Sequence, residues 1–490
     1  MPYTTIWSNK LRKSATEVIP ARGVFAGYNA CIDFLEYLDP HHLEQLYSKS
    51  MTPELAERIK KGEKASEIKT KEDFLVSLVT AINSGKALQI PNRSFDSQWF
   101  HDVFDEADEH RPGGQSAIIA NLLSQMGHRV ICYVPNLSKV QARRFHNKNI
   151  FFPLFNHETK TYELRNITKA GYNDAITKIN WIFEYEAGLN FPIRHDDFND
   201  FITAPRSNRL IIASRPPGLL PGFSDELVPF ASEIGTLVER AIVSGYQYLN
   251  RENVEEQMNR EKKILENFCS KNPDLRVHLE WASMRDPDVR MTIMDKIKEK
   301  VHSLGLNETE LFSLLEDLGE HEAIDAIKKN EDVKSLYEGV KIAFEKLSIP
   351  RIHLHTLGYH ILMMDFNYSE HVSLQSTINA ILFSCLVGSA KTLVGEFSSK
   401  NIRELELQLA LDLSVSYHGL RQLEDFGKHL LANNEINDLE RFLMNGVVSR
   451  KGIIKAIIPS QITPRDRLKS TVGLGDSISS SAFTFDRKEP

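Results

Sequence analysis

The chain has 490 residues, 41% hydrophobic and 26% charged, several times the usual domain length, which predicts a large core and more than one lobe. A net charge of −7 leaves no global basic field to hold nucleic acid or an anionic membrane. Its four cysteines, Cys31, Cys132, Cys269 and Cys385, lack CxxC spacing, so neither a disulfide framework nor a zinc site is expected and a reducing cytoplasm is the simplest setting.

The N-terminus is polar and mixed, without an apolar signal segment. RGVFAGY (22–28) reads as a strand, and segment 40–110 as polar and helical, ending in the acidic run HDVFDEADEH. SAIIANLLSQMG (116–127) has an amphipathic helical period closed by Gly127, and HRVICYVP (128–135) is the next strand. Segment 155–215 breaks the alternation, with TKTYELRNIT and KINWIFEYEAG reading as strands of another sheet. Further strands are expected at 208–216, 237–246, 274–283 and 455–462. The charge-rich segment 286–347 reads as surface helices. The longest apolar run, INAILFSCLVGSA (378–390), falls short of the roughly 18 residues of a membrane span and suits a buried core helix. The pattern is that of an α/β protein with a discontinuous lid inserted into its main body.

Three short elements can carry chemistry. Near the C-terminus an apolar strand leads to Gly473-Leu474-Gly475-Asp476 and a run of small residues suited to a helix start. Glycines let backbone amides converge at the positive end of a helix, where a phosphoryl oxygen fits, and an aspartate there can take a proton from an attacking hydroxyl. An ordinary helix start after a glycine turn has the same appearance. Gly27-Tyr28-Asn29-Ala30-Cys31-Ile32-Asp33 follows a strand, and Pro112-Gly113-Gly114-Gln115-Ser116 opens a helix. Polar side chains at strand ends and backbone bared by paired glycines can bind sugar hydroxyls, but each fragment alone also fits a plain turn. Walker A, GxGxxG and protein-kinase motifs are absent.

In this order and spacing the three elements resemble the ribokinase-like superfamily. SGYQYL (244–249), HLEWAS (278–283), RIHLHTLGYH (351–360) and TVGLGDSISSSAF (471–483) narrow the resemblance to the archaeal ADP-dependent phosphofructokinase/glucokinase family, over about residues 20 to 485. The resemblance implies a three-layer α/β/α large domain (1–29, 106–154 and 216–490) and a smaller discontinuous β-sheet lid (30–105 and 155–215). It implies that Asp476 is the catalytic base, that the amides of Gly473 through Asp476, Gly475 among them, form an anion hole, and that Arg209 contacts the ADP β-phosphate. It places Mg²⁺ at the HxE pair His278 and Glu280, with Glu280 holding the ion through water. Adenine is expected near 351–360 and the loop before 473. Sugar contacts are expected from Asn29, Asp33, Gln89 and Lys178 on the lid, facing Gly114 and Gln115 of the main body.

The acceptor turns on four positions. Glucokinases of the family carry a lid glutamate where this chain has Gln89, and a histidine where it has Asn180; its phosphofructokinases clamp the sugar phosphate with a Lys and an Arg that match Lys178 and Arg215. A sugar phosphate is dianionic near neutral pH, so two cations suit it and a glutamate would repel it. Taken alone, Lys178 and Arg215 also fit ordinary strand-end cations. The expectation is an ADP-dependent 6-phosphofructokinase of glycolysis, cytoplasmic, monomeric or a small homo-oligomer, with ADP and fructose 6-phosphate as its small-molecule partners and neither nucleic acid nor membrane. Alternatives are a glucokinase or bifunctional enzyme, an ATP-dependent ribokinase-like kinase, and a non-catalytic sensor on the same fold.

Overall fold

A computed structural model describes residues 3–487 apart from 97, 105–108, 147, 174–175, 196–197, 217, 370–371, 398–401 and 403–405. Among the described residues, two of three sheets organise it, each with its own apolar core; the third is the hairpin Asn190–His195 with Phe198–Thr203. The large sheet has 11 strands. Its parallel centre runs, in spatial order, through Ile150–Asn156, Val130–Tyr133, Val24–Gly27, Arg240–Val243, Arg276–Glu280, Ser303–Leu306 and Arg351–His355. Antiparallel strands complete both ends: Thr161–Asn166 at one, and Tyr359–Asp365, Ile453–Pro459 and Val447–Arg450 at the other. The central strands are buried on both faces, which is why they read as short continuous apolar runs.

The strand order reverses at Val24–Gly27, and right-handed crossovers in opposite directions then put helices on opposite faces. Helices Val254–Ser270, Pro287–Ile297, Glu308–Asp317 and Val333–Leu347 form one layer. Helices Tyr3–Glu17, Gln115–Gln125, Leu374–Val394 and Leu474–Thr484 form the other. Leu374–Val394 contains the apolar run 378–390; it is long and apolar enough to cross a membrane, but lies buried in this layer. Carboxyl ends of parallel strands at such a reversal are where open α/β sheets bind ligands.

The small sheet orders its five strands Leu88–Asn92, Asn208–Ser214, Ile179–Tyr185, Cys31–Tyr37 and Glu109–Gly113. Alternation sorts its residues cleanly. Ile32, Phe34, Ile90, Trp181, Phe183, Leu210 and Ile212 pack into the lid core against helices that include Lys71–Ser84 and Gln98–Phe104. With a period of two, Asp33, Gln89, Asn180 and Arg209 therefore occupy the other face, toward the main body.

The expected domain bounds need correction in two places. Thr161–Asn166 and Ile150–Asn156 pair with each other and extend the large sheet, so 155–166 belongs to the main body; of TKTYELRNIT and KINWIFEYEAG, the second alone joins the lid sheet. Glu109–Gly113, assigned to the large domain, pairs with Cys31–Tyr37 in the lid; the expected boundary at 105–106 lies outside the described residues. Segment 286–347 is also more than surface helices, because Ser303–Leu306 is a fully buried central strand.

Candidate active site

The chain returns from the last strands of the large sheet to Gly473, whose φ of 66° turns it into helix Leu474–Thr484. Asp476 lies in that helix's first turn, where amides have no carbonyl one turn back to receive them. The Leu474 amide already donates to the Thr471 carbonyl at 3.2 Å, so of the amides from Gly473 through Asp476 this one is already engaged. His355, at the end of its central strand, backs Gly475: a Cβ there would lie 3.3 Å from the imidazole.

Asp476 is surrounded by charge. Burial above all, then the Glu280 carboxylate and Asp33, raise its pKa, opposed by a hydrogen bond from Gln115 and by Lys391. The Gln115 amide is held in turn by Gln247 Nε2, which donates to its oxygen at 3.2 Å, so Gln115 aims at the aspartate as well as at the cleft. Glu280 is itself raised, by burial, and Glu310 is pushed up to about 8 by burial and by Glu280 and Asp476. Three desolvated carboxylates, with Glu280 raising both of the others, make a place that gains from a cation.

Glu310 was not expected. It stands in the first turn of helix Glu308–Asp317, bound back to the Asn307 amide at 3.0 Å in a capping box, just beyond strand Ser303–Leu306. His278 differs from its expected role. It is wholly buried; Ser303, which accepts from Arg351 at 2.8 Å, reaches its Nδ1 at 2.9 Å. Its Nε2 faces Glu280 at 3.0 Å and Ser479 at 2.9 Å. Both nitrogens face protein groups, so His278 supports Glu280 here instead of presenting a free ligand nitrogen. Among the described residues no group of three or more His, Cys, Asp or Glu side chains is close enough to hold a metal ion by itself. Glu280 and Glu310 nevertheless offer hard oxygen donors, which suits Mg²⁺, an ion usually held by one or two carboxylates with water and substrate phosphates.

Across the cleft, Arg209 joins the two lobes: its guanidinium is 3.4 Å from Glu184 on the lid and 3.5 Å from Thr471 Oγ1, beside the Gly473 turn. Arg285 of the main body donates to the Gln89 carbonyl at 2.8 Å, and Arg111 faces Glu396 at 3.5 Å. Gln89 is thus tied through its backbone while its exposed side chain lies on the cleft face.

Further along the cleft, Asn180 Nδ2 donates to Asp33 Oδ1 and approaches Cys31 Sγ, each at 3.0 Å, fixing the carboxylate. Gly113 makes room for it, since a Cβ there would fall 2.2 Å from Asp33 Oδ1. Gly114, at φ 79°, brings the chain against Asn29, whose carbonyl would meet a Cβ at 2.8 Å. Asn29 accepts from Lys178 Nζ at 2.5 Å. Lys178 is buried, and desolvation above all, with Arg215 also acting, lowers its pKa to about 7. Arg215 donates through Nη1 to the Gln247 carbonyl at 2.9 Å, but its buried Nε has no partner. Among the described residues neither cation forms an ion pair. A buried and a half-buried cation with an orphaned donor at one end of a cleft, and a half-buried aspartate at the other, suit a ligand anionic at one end and hydroxylic at the other.

Comparison with known proteins places this geometry. Residues 22–485 match the ADP-specific phosphofructokinase/glucokinase conserved region. The chain is 32% identical to an ADP-specific phosphofructokinase of Methanosarcina acetivorans, over 96% of this chain and 94% of that one. It is 31% identical to an ADP-dependent glucose/glucosamine kinase of Pyrococcus furiosus, over 98% of both. A solved ADP-dependent kinase in complex with fructose 6-phosphate and ADPβS superposes with a TM-score of 0.80 at 29% identity, covering 99% of this chain and 97% of that one. The chain therefore belongs to the ADP-specific phosphofructokinase/glucokinase family.

Proposed function

We propose that the protein is an ADP-dependent 6-phosphofructokinase, converting ADP and fructose 6-phosphate to AMP and fructose 1,6-bisphosphate. The observation that carries this reading is the pair of desolvated cations, Lys178 and Arg215, with no carboxylate ion-pair partner among the described residues, at the end of the cleft away from Asp476. A neutral hexose would leave both charges desolvated and unanswered; a 6-phosphate answers both and sends the C1 hydroxyl toward Asp476.

In this reading Asp476 takes the proton of the C1 hydroxyl as that oxygen attacks the β-phosphorus and the bond to AMP breaks. Its raised pKa matches a base working near neutral pH. The amides of Gly475 and Asp476 and the guanidinium of Arg209 receive the negative charge of the moving phosphoryl group. Glu280 and Glu310 would hold Mg²⁺, which when bound neutralises charge on the phosphates. Asn29, Asp33 and Gln115 line the path between the clamp and the base, with Gly114 keeping the backbone close enough for sugar hydroxyls. Adenine would sit on the main body where exposed Leu357 (74%) and Tyr417 (63%) flank loops tied together by Gly358, Ser416 and Ser460. With the lid closed over the sugar, water is kept from the β-phosphate.

The Pyrococcus furiosus relative favours a second reading, glucose as acceptor. Against it stand Gln89 and Asn180, which leave the lid without the glutamate and histidine of glucokinases. Initial rates with ADP and with ATP, each on fructose 6-phosphate and on glucose, test both. Turnover with ADP and fructose 6-phosphate, and little on glucose, is expected; preference for glucose would overturn the acceptor, and preference for ATP the donor.

A further inference from the structure

Two desolvated cations that repel each other need something to hold them when no phosphate is bound. A carboxylate would neutralise them, but it would then compete with the incoming dianion for both. The chain uses a neutral group instead. Lys178 Nζ lies 3.4 Å from the centroid of the Tyr248 ring, and the Arg215 guanidinium carbon is 5.2 Å from the same centroid. Both distances are within the range in which a ring's negative face attracts a cation. The tyrosine stands beside the Asn29 side chain, whose Oδ1 accepts from Lys178, so ring, amide and ammonium meet at one place.

The ring is firmly placed. Tyr248 closes a short helical turn, Tyr246–Tyr248, after strand Arg240–Val243. Two residues earlier the Tyr246 hydroxyl donates to the buried Glu261 at 3.0 Å. The same Glu261 oxygen accepts from Tyr28 at 2.9 Å, next to Asn29. One carboxylate beneath the site thus ties together the loop carrying Tyr248 and the loop carrying Asn29. The Gln247 carbonyl between the two tyrosines accepts from Arg215.

We propose that Tyr248 is a specificity-determining residue: its ring is a shared platform that holds the Lys178 and Arg215 side chains together and available to the acceptor's phosphate. The platform rests on the phosphofructokinase reading, because it matters only if those cations meet a phosphate. Its energy supports recognition of the phosphorylated end and leaves the donor site and the base untouched.

The test is KM for fructose 6-phosphate, KM for ADP and kcat in an aromatic series at Tyr248, with Lys178→Met alongside. Tyr248→Met fills a similar volume without a π face and is expected to raise KM for fructose 6-phosphate about 20-fold. Tyr248→Phe keeps the face, loses only the hydroxyl beside Asn29, and is expected to raise it no more than about threefold. ADP KM and kcat are expected to move less than about threefold in both, and Tyr248→Met is expected to add little on top of Lys178→Met. Phe and Met variants with the same KM would overturn the platform, since space-filling alone then explains the tyrosine. If Tyr248→Met does not fold, Tyr248→Trp decides: the larger face keeps KM near the Phe value if the platform holds, whereas a rise above about 20-fold overturns it. If Lys178→Met raises KM and Tyr248→Met does not, the platform alone falls. If Lys178→Met leaves KM unchanged, the clamp itself falls and the platform with it.

Discussion

Replacing Lys178 by methionine keeps the stem and removes the ammonium that lies 2.5 Å from Asn29 Oδ1 and over the Tyr248 ring. A phosphate charge ~4 Å from that ammonium gains ~4 kcal/mol at an effective dielectric of ~20. Desolvation of the phosphate opposes this. So does the lysine's own burial, which lowers its pKa to about 7 and leaves about half of the free protein uncharged there at neutral pH. A net loss of about 2–3 kcal/mol, or ~30–150-fold in kcat/KM for fructose 6-phosphate, is expected. It should fall on KM and spare kcat, because the interaction is made equally in the ground and transition states. The assay is a coupled measurement of fructose 1,6-bisphosphate across sugar concentrations at saturating ADP. In the parent protein kcat/KM for the sugar should also decline as pH rises through about 7, as the ammonium loses its proton, and Lys178→Met should abolish that decline. A loss carried by kcat, or a KM shift below about threefold, would refute the clamp.

Asp476→Asn should lower kcat about 10³-fold or more with sugar binding retained by calorimetry; turnover within tenfold of the parent would remove the base assignment. Lys391, buried beside Asp476 and opposing its raised pKa, gives a signed pH prediction. Lys391→Met should let that pKa rise further, so the acid limb of kcat moves to higher pH; an unmoved limb would separate the two groups. Glu310→Gln should raise the Mg²⁺ concentration needed for half-maximal rate about 10–100-fold, read by titrating metal into chelator-treated protein, and an unchanged requirement would take Glu310 out of the metal site. Gly113→Ala puts a methyl 2.2 Å from the Asp33 carboxylate, so it should cost about 1–3 kcal/mol in denaturant unfolding and raise sugar KM. A neutral substitution would mean that Asp33 moves freely.

The candidate catalytic turn was legible because its requirements are local. Gly473 must adopt a left-handed φ, Gly475 must bare its amide, and Asp476 must stand in the first turn, all within four consecutive residues. The lid's cleft face was legible for a related reason. Strand alternation places Asp33, Gln89, Asn180 and Arg209 on one side wherever the strand goes, because successive side chains point to opposite faces. The strand containing Thr161–Asn166 reads like a lid strand, with an alternating and largely exposed pattern, yet it completes an edge of the large sheet. Its partner is chosen by contact with Ile150–Asn156, and no residue within it records that choice.

The remaining site residues were decided by tertiary structure. Glu310 looks in sequence like any capping glutamate in a charge-rich helical segment; it becomes a metal candidate because the preceding strand delivers it beside Glu280 and Asp476. His278 looks like a ligand until the fold supplies Ser303 and Ser479 to occupy its nitrogens. Lys391 carried a visible clue, a charge in the apolar run of Leu374–Val394, but no hint of what it faces. Sequence by itself determined the chemistry bound to short backbone motifs and to strand periodicity, because those depend on neighbours along the chain. Only the folded chain decided which charges are desolvated together, because the dielectric and the distances that set their energies come from residues hundreds of positions apart.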